Sequence, residues 1–263
     1  MNTVSRALVT GASDGIGMEI ARCLAQRGYN LVITARRRAT LENLASLWRE
    51  QYSVEVLVHA CDLSREEGRV GLLQATIEKG LQVDVLINNA GFGTTGSFAE
   101  LELARELEEI DLNVKAAVAL THAFLSPMLE RRNGYILNVA STAAFQPGPF
   151  MAVYYATKAF LDSFTQAVAY EVRDNGVKVI SFCPGPVETG FGEVSGNNKN
   201  YLFKKPGADA RVVAEAAITA LESGRPLKVA GFQNRVGVLA VRFLPGWLVK
   251  RLAAHLNSPV KPG

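Results

Sequence analysis

Tyr154 and Lys158 are the residues best suited to chemistry, four apart in the run YYATK. On a helix, residues four apart lie one turn apart on one face. An ammonium beside a phenol favours the phenolate and lowers its pKa. Tyr154 would then be a usable proton donor or acceptor near neutral pH. Ser141 stands upstream, closing the run Asn138-Val139-Ala140-Ser141. The Tyr-x-x-x-Lys spacing alone arises by chance on many helices. It gains weight from that serine and from a glycine-rich segment near the start of the chain. Tyr155 has no lysine four residues on and is not assigned the role.

The glycine-rich segment reads Thr10-Gly11-Ala12-Ser13-Asp14-Gly15-Ile16-Gly17. Glycines here permit a tight turn, let backbone approach a pyrophosphate, and start a helix close to a sheet. The spacing departs from the Gly-x-Gly-x-x-Gly dinucleotide fingerprint. Ala35 falls where an NAD site carries an acid, about 20 residues beyond the glycines. Arg36, Arg37 and Arg38 follow it. Guanidinium groups pair bidentately with phosphate, so a 2′-phosphate, and hence NADP(H), is their natural partner. A solvated basic turn is the plain alternative, and Asp14 sets negative charge near the same place. Asp62 and Leu63 are placed to bracket an adenine edge, although an acid such as Asp62 also suits a helix start. Asn88, Asn89, Ala90 and Gly91 suit backbone contact with a ribose, or form a polar turn.

These residues stand where short apolar runs end. Strands are expected near 6–10, 30–34, 54–59, 83–88, 135–139, 177–182 and 227–230. Helical spacing fills 15–27, 39–51, 65–79, 99–131, 154–173 and 209–223. Such alternation implies one α/β domain, a parallel sheet covered by helices on both faces. Ligands then bind beyond the carboxyl ends of the strands. The 263 residues, 48% apolar and 20% charged, support a large core and exclude a disordered chain. A formal charge of +3 argues against a nucleic-acid partner. The odd count of three cysteines, without a Cys-x-x-Cys pair, suggests buried free thiols. His59, His122 and His255 share no ligand spacing, so no metal site is expected. Neither a signal peptide nor a spanning helix is expected, which points to a cytoplasmic protein.

Together the motifs resemble the short-chain dehydrogenase/reductase family over nearly the whole chain. They are the segments 10–17, 62–63 and 88–91, then Asn113, Ser141, Tyr154, Lys158, Pro184-Gly185 and Thr189. The wordings ARRR, LINNAGFG and CPGPVETGF look most like bacterial NADP-preferring ketoreductases. The resemblance implies a doubly wound Rossmann-type domain with a seven-stranded parallel sheet in the order 3-2-1-4-5-6-7. It implies that Tyr154 protonates the substrate oxygen and that Lys158 holds the nicotinamide ribose. It also implies that Ser141 binds the substrate carbonyl and that Asn113 holds a water. Thr189, with the Val187 backbone, would fix the carboxamide.

The glycine-bearing stretch 186–206, with Gly190, Gly192, Gly196, Asn197 and Asn198, is expected to cover the substrate. Phe92, Ala143, Phe145, Phe150, Met151 and Phe191 suggest an apolar pocket. The apolar, basic tail near 232–256 could pack across that pocket, join a subunit interface, or lie on a membrane surface, in that order. Pro245-Gly246 breaks it, so it cannot span. The resemblance implies a homodimer or homotetramer built through 99–131 and 154–173. The expected function is NADPH-dependent reduction of a hydrophobic or aryl ketone to a secondary alcohol. The alternatives are an NADP(H)-sensing binding protein and a membrane-surface 3-ketoacyl or lipid reductase.

Overall fold

The strands form because their residues are apolar on both faces, as a sheet covered twice requires. A computed structural model describes residues 5–195 and 207–258. Its strands are β1 (Arg6–Thr10), β2 (Asn30–Ala35), β3 (Val56–Ala60), β4 (Val85–Asn88), β5 (Gly134–Val139), β6 (Val177–Cys183) and β7 (Leu227–Val229). All pair in parallel, in the order β3-β2-β1-β4-β5-β6-β7. Successive side chains alternate between faces. Ala7 and Val9 join the core beneath α1 (Gly15–Gln26), α2 (Arg38–Tyr52) and α8 (Ala210–Ser223). Leu8 and Leu86 face the other way, toward α3 (Glu66–Glu78), α5 (Ala117–Glu130) and α6 (Ala152–Glu171).

The single helix expected over 99–131 begins later and is interrupted. It consists of α4 (Leu103–Ile110), a π-helical turn (Asp111–Ala116) and α5. Contrary to expectation, this run is long and apolar enough to cross a membrane. Its Leu120, Phe124 and Met128 instead belong to the core against the sheet.

The tail folds as α9 (Phe232–Val241) and α10 (Gly246–Asn257). The stretch 186–206 contains α7 (Phe191–Val194), while 196–206, with Gly196, Asn197 and Asn198, lies outside the described residues. Its two ends meet: Ala208 N–H donates to the Pro186 carbonyl at 3.0 Å and Glu188 N–H to the Ala208 carbonyl at 3.1 Å. Cys23 and Cys183 are buried and Cys61 is half-buried, all three as free thiols.

Candidate active site

Ser141 stands two residues beyond the end of β5 and caps the short 3-10 turn Thr142–Phe145, its Oγ accepting from Ala143 N–H at 3.1 Å. A buried polar ladder holds α6 against that strand end. Asn88 Nδ2 donates to Asn138 Oδ1 at 2.8 Å, and Asn138 Nδ2 donates to Thr165 Oγ1 at 2.8 Å. Lys158 lies one turn beyond Tyr154 on α6. The Tyr154 ring packs against Phe191 at 5.2 Å between centroids and edge-on to Tyr155 at 6.1 Å. Gly93 lies under the same ring, where an added Cβ would come within 3.0 Å.

The electrostatics differ from the expectation in one respect. Burial pushes the Tyr154 phenol above its ordinary range, and a hydrogen bond with Ser141 opposes this only in part. Lys158 stands beside the phenol and makes its hydrogen bond elsewhere. Its Nζ sits 5.8 Å from the ring centre and donates to the Val139 carbonyl at 2.8 Å. Burial lowers Lys158 to about 8, with Glu109 working against that shift. Glu109 in turn is raised to about 8, chiefly by burial. The Thr94 hydroxyl is shared between Glu106 and Glu109, 3.1 Å from Glu109 Oε2. Glu109 Oε1 is buried without a hydrogen-bond partner. The phenol is therefore held protonated beside a lysine poised near neutrality.

Asn113 lies behind this wall, within the π-helical turn. Its Nδ2 donates to the Phe92 carbonyl at 2.9 Å and to Thr157 Oγ1 at 3.1 Å, and its Oδ1 accepts from Phe92 N–H at 3.1 Å. It thereby ties the segment after β4 to α6. An added Cβ on Gly91 would meet Asn113 Oδ1 at 2.8 Å.

Ser141, Tyr154 and Lys158 border one cleft of about 860 Å³ at the carboxyl ends of the strands, and Asn113 and Glu109 stand outside its lining. Of the expected cofactor residues, Gly11, Ser13, Asp14, Gly15 and Ile16 line it, with Arg36, Arg37, Asp62 and Leu63. Asn89, Ala90, Gly91, Pro184, Gly185, Val187 and Thr189 line it as well. Gly17 does not. An added Cβ there would lie 2.3 Å from Asn89 Nδ2 and 2.5 Å from the Gly11 carbonyl oxygen, so it seats α1 against the segment after β4. Gly15, at φ +56°, supplies a backbone shape that L side chains rarely adopt, with Thr189 pressed against it. The N-terminus of α1 and the glycine backbone at its start fit a dinucleotide pyrophosphate, with Asp14 Oδ1 accepting from Gly15 N–H at 2.7 Å.

Arg37 donates to the Ser13 carbonyl at 3.0 Å and to Ser13 Oγ at 3.1 Å, and stands 3.9 Å from Asp14. The Asp14 charge is thus faced by a guanidinium, while its Oδ1 caps α1. Arg38 belongs to α2 and pairs with Glu42 at 3.7 Å, outside the cleft. Asp62 Oδ1 accepts from Ser64 N–H at 3.0 Å in a turn before α3, so it shapes the turn and lines the cleft together.

At the substrate end, Phe92, Ala143, Met151 and Phe191 line the cleft. Phe145 and Phe150 do not, contrary to expectation. Phe145 is half-buried on the 3-10 turn. Phe150 takes a left-handed backbone at φ +65° and is exposed, so its neighbour Met151 takes the inward place. The tail supplies a wall that the sequence reading did not assign residue by residue. Val238, Val241, Leu244, Val249, Leu252, Ala253 and Leu256 complete the apolar end. Their helical spacing is the signal that could have found them. Asn257 anchors α10, accepting from Tyr155 Oη at 3.2 Å and donating to the Pro149 carbonyl at 2.9 Å. Among the described residues no His, Cys, Asp and Glu cluster could hold a metal.

The family model for short chain dehydrogenases matches residues 5–200. The chain belongs to the short-chain dehydrogenase/reductase family. It is therefore an oxidoreductase, and the family uses a nicotinamide cofactor and acts on small molecules. It is 35% identical to an uncharacterized oxidoreductase of Staphylococcus saprophyticus over 216 residues, 82% of this chain and 90% of that one. It is 34% identical over 221 residues to a very-long-chain 3-oxoacyl-CoA reductase of Anas platyrhynchos, 82% of this chain and 69% of the other. Among solved structures, a short-chain dehydrogenase from Sphingobium yanoikuyae in complex with NADPH superposes with a TM-score of 0.82 at 26% identity. It covers 91% of this chain and 93% of its own.

Proposed function

We propose that this oxidoreductase reduces an apolar ketone to a secondary alcohol at the expense of NADPH. The observation carrying the reading is the convergence of Ser141, Tyr154 and Lys158 on one wall, between an arginine-bearing end and an apolar end of one cleft. A nicotinamide bound there would supply the hydride. Ser141 would hydrogen-bond the substrate oxygen and orient the carbonyl. Tyr154, kept protonated by its burial, would give its proton to that oxygen as charge develops on it. Lys158 would hold the ribose hydroxyls. Asn113 would order a water between Lys158 and solvent. Thr189 and the Val187 backbone would orient the carboxamide.

NADPH, rather than NADH, is favoured by Ser13, Arg36 and Arg37 around the place of a 2′-phosphate. The NADPH complex of the Sphingobium relative agrees with this choice. A bulky or long-chain ketone is favoured by the apolar wall from α9 and α10, and the Anas relative's 3-oxoacyl substrate is a ketone of that kind. The exposed Leu103, Leu107 and Phe160 on α4 and α6 offer the face for a homodimer or homotetramer. A cytoplasmic site of action supplies both NADPH and reduced thiols.

The test is loss of NADPH absorbance with a panel of aryl ketones, 3-oxoacyl thioesters, steroids and diketones, with the alcohol product identified. Turnover of a bulky or long-chain ketone, faster than that of small methyl ketones, is expected. Tight NADPH binding without reduction of any carbonyl would instead favour a nucleotide sensor.

A further inference from the structure

The tail presents two faces, one turned to the cleft and one turned to solvent. On α9, Gln233, Asn234, Gly237, Val238 and Val241 line the cleft. The opposite stripe, Phe232, Val236, Leu239 and Phe243, follows helical spacing and faces solvent. Phe232 is 79% and Phe243 81% exposed, and Trp247, at the corner with α10, is 63% exposed. No residue of α9 is buried. Scattered exposed apolar residues are ordinary, but a contiguous stripe with two aromatics at a helix corner marks an interaction surface.

The charge around this stripe is of one sign. No Asp or Glu follows Glu222, whereas seven Lys and Arg do. Arg235, Arg242, Lys250 and Arg251 flank the stripe and are exposed. Among the described residues none of the four forms an ion pair. A second copy of this chain fits the surface poorly. A two-fold contact sets a patch against itself, and here cations would meet cations with no acid to separate them. An anionic lipid surface fits both features: basic residues meet headgroups while Phe and Trp enter the acyl boundary.

We propose that the α9–α10 corner docks the protein on anionic phospholipid membranes. The inner faces of the same two helices line the apolar end of the cleft, so docking sets that end beside the acyl region. This deepens the proposed function by naming its substrate pool: a ketone carried on a chain that partitions into the bilayer.

The test is co-sedimentation of the full chain with vesicles of phosphatidylcholine alone and of an equimolar mixture with phosphatidylglycerol. Wild type should partition to the mixed vesicles at least about tenfold better than to the neutral ones, and high salt should reverse this. Phe243→Glu/Trp247→Glu and Arg242→Glu/Lys250→Glu should each lose at least about tenfold of that partition. Both variants should stay folded, with unchanged turnover of a small water-soluble ketone. Equal binding to both vesicle types, no binding, or binding untouched by both variants would overturn the proposal. So would a dimer broken by Phe243→Glu/Trp247→Glu in a protein that ignores vesicles, which would assign the surface to a second copy. Sedimentation requires no turnover. A protein that binds the mixed vesicles but reduces no ketone would therefore refute the proposed function and leave the docking surface standing.

Discussion

Arg36 and Arg37 line the same end of the cleft with different commitments. Arg37 is tied to Ser13 and faces Asp14, whereas Arg36 has one long ion pair, 3.7 Å from Glu108. Arg36 is thus the freer guanidinium for a phosphate. Arg36→Ala should raise the KM for NADPH about 10- to 100-fold, the scale of a charge-assisted bond, and leave that for NADH nearly unchanged. Equal effects on both would remove Arg36 from phosphate recognition. Glu109 makes a second prediction, on stability. Its folded carboxyl keeps a proton up to about pH 8, against an ordinary value of 4.5. The folded state then binds more protons than the unfolded one between those values. The resulting stabilisation is complete below pH 4.5 and is lost as pH rises through about 8. Glu109→Gln lacks this loss, so its melting temperature should gain on wild type across that window. A constant difference at all pH values would contradict the assignment. The residue types of the site were legible because their spacing is local. Glu109 was not, because only packing buries it beside Thr94 and near Lys158.

The elements explain why some residues were legible and others were not. The strands read clearly because sheets covered on both faces give short continuous apolar runs. The π-helical turn left no mark, because the apolar spacing of 99–131 reads as one helix. Such turns are concentrated at functional sites, and this one carries Asn113. Asn113→Ala would strand the Phe92 N–H and carbonyl in a buried place. Unfolding free energy should fall by about 2–4 kcal/mol, read by chemical denaturation, and ketone turnover should fall with it. An unchanged midpoint would show that the Phe92 bonds are dispensable. Phe150 was misread because a left-handed residue inverts which neighbour points inward. Backbone sign at a single non-glycine position has no counterpart in composition.

At the scale of the whole molecule, the formal charge of +3 hides a segregation. The chain after Glu222 carries seven Lys and Arg and no acid, so the rest is net acidic. The tail's apolar and basic character was visible in the sequence, but its two faces emerged only once α9 and α10 lay across the cleft. One cleft thus brings together a glycine-floored end, a wall of half-buried Ser141 and Tyr154 with buried Lys158, and an apolar end roofed by the tail. The claim that these parts form a ketone reductase rests on the Tyr154 proton. The most direct measurement compares wild type with Tyr154→Phe, following NADPH binding by nucleotide fluorescence and turnover on the best ketone of the panel. NADPH affinity should be unchanged while turnover falls by about 10²–10⁴-fold. Undiminished turnover in the phenylalanine variant would contradict the account.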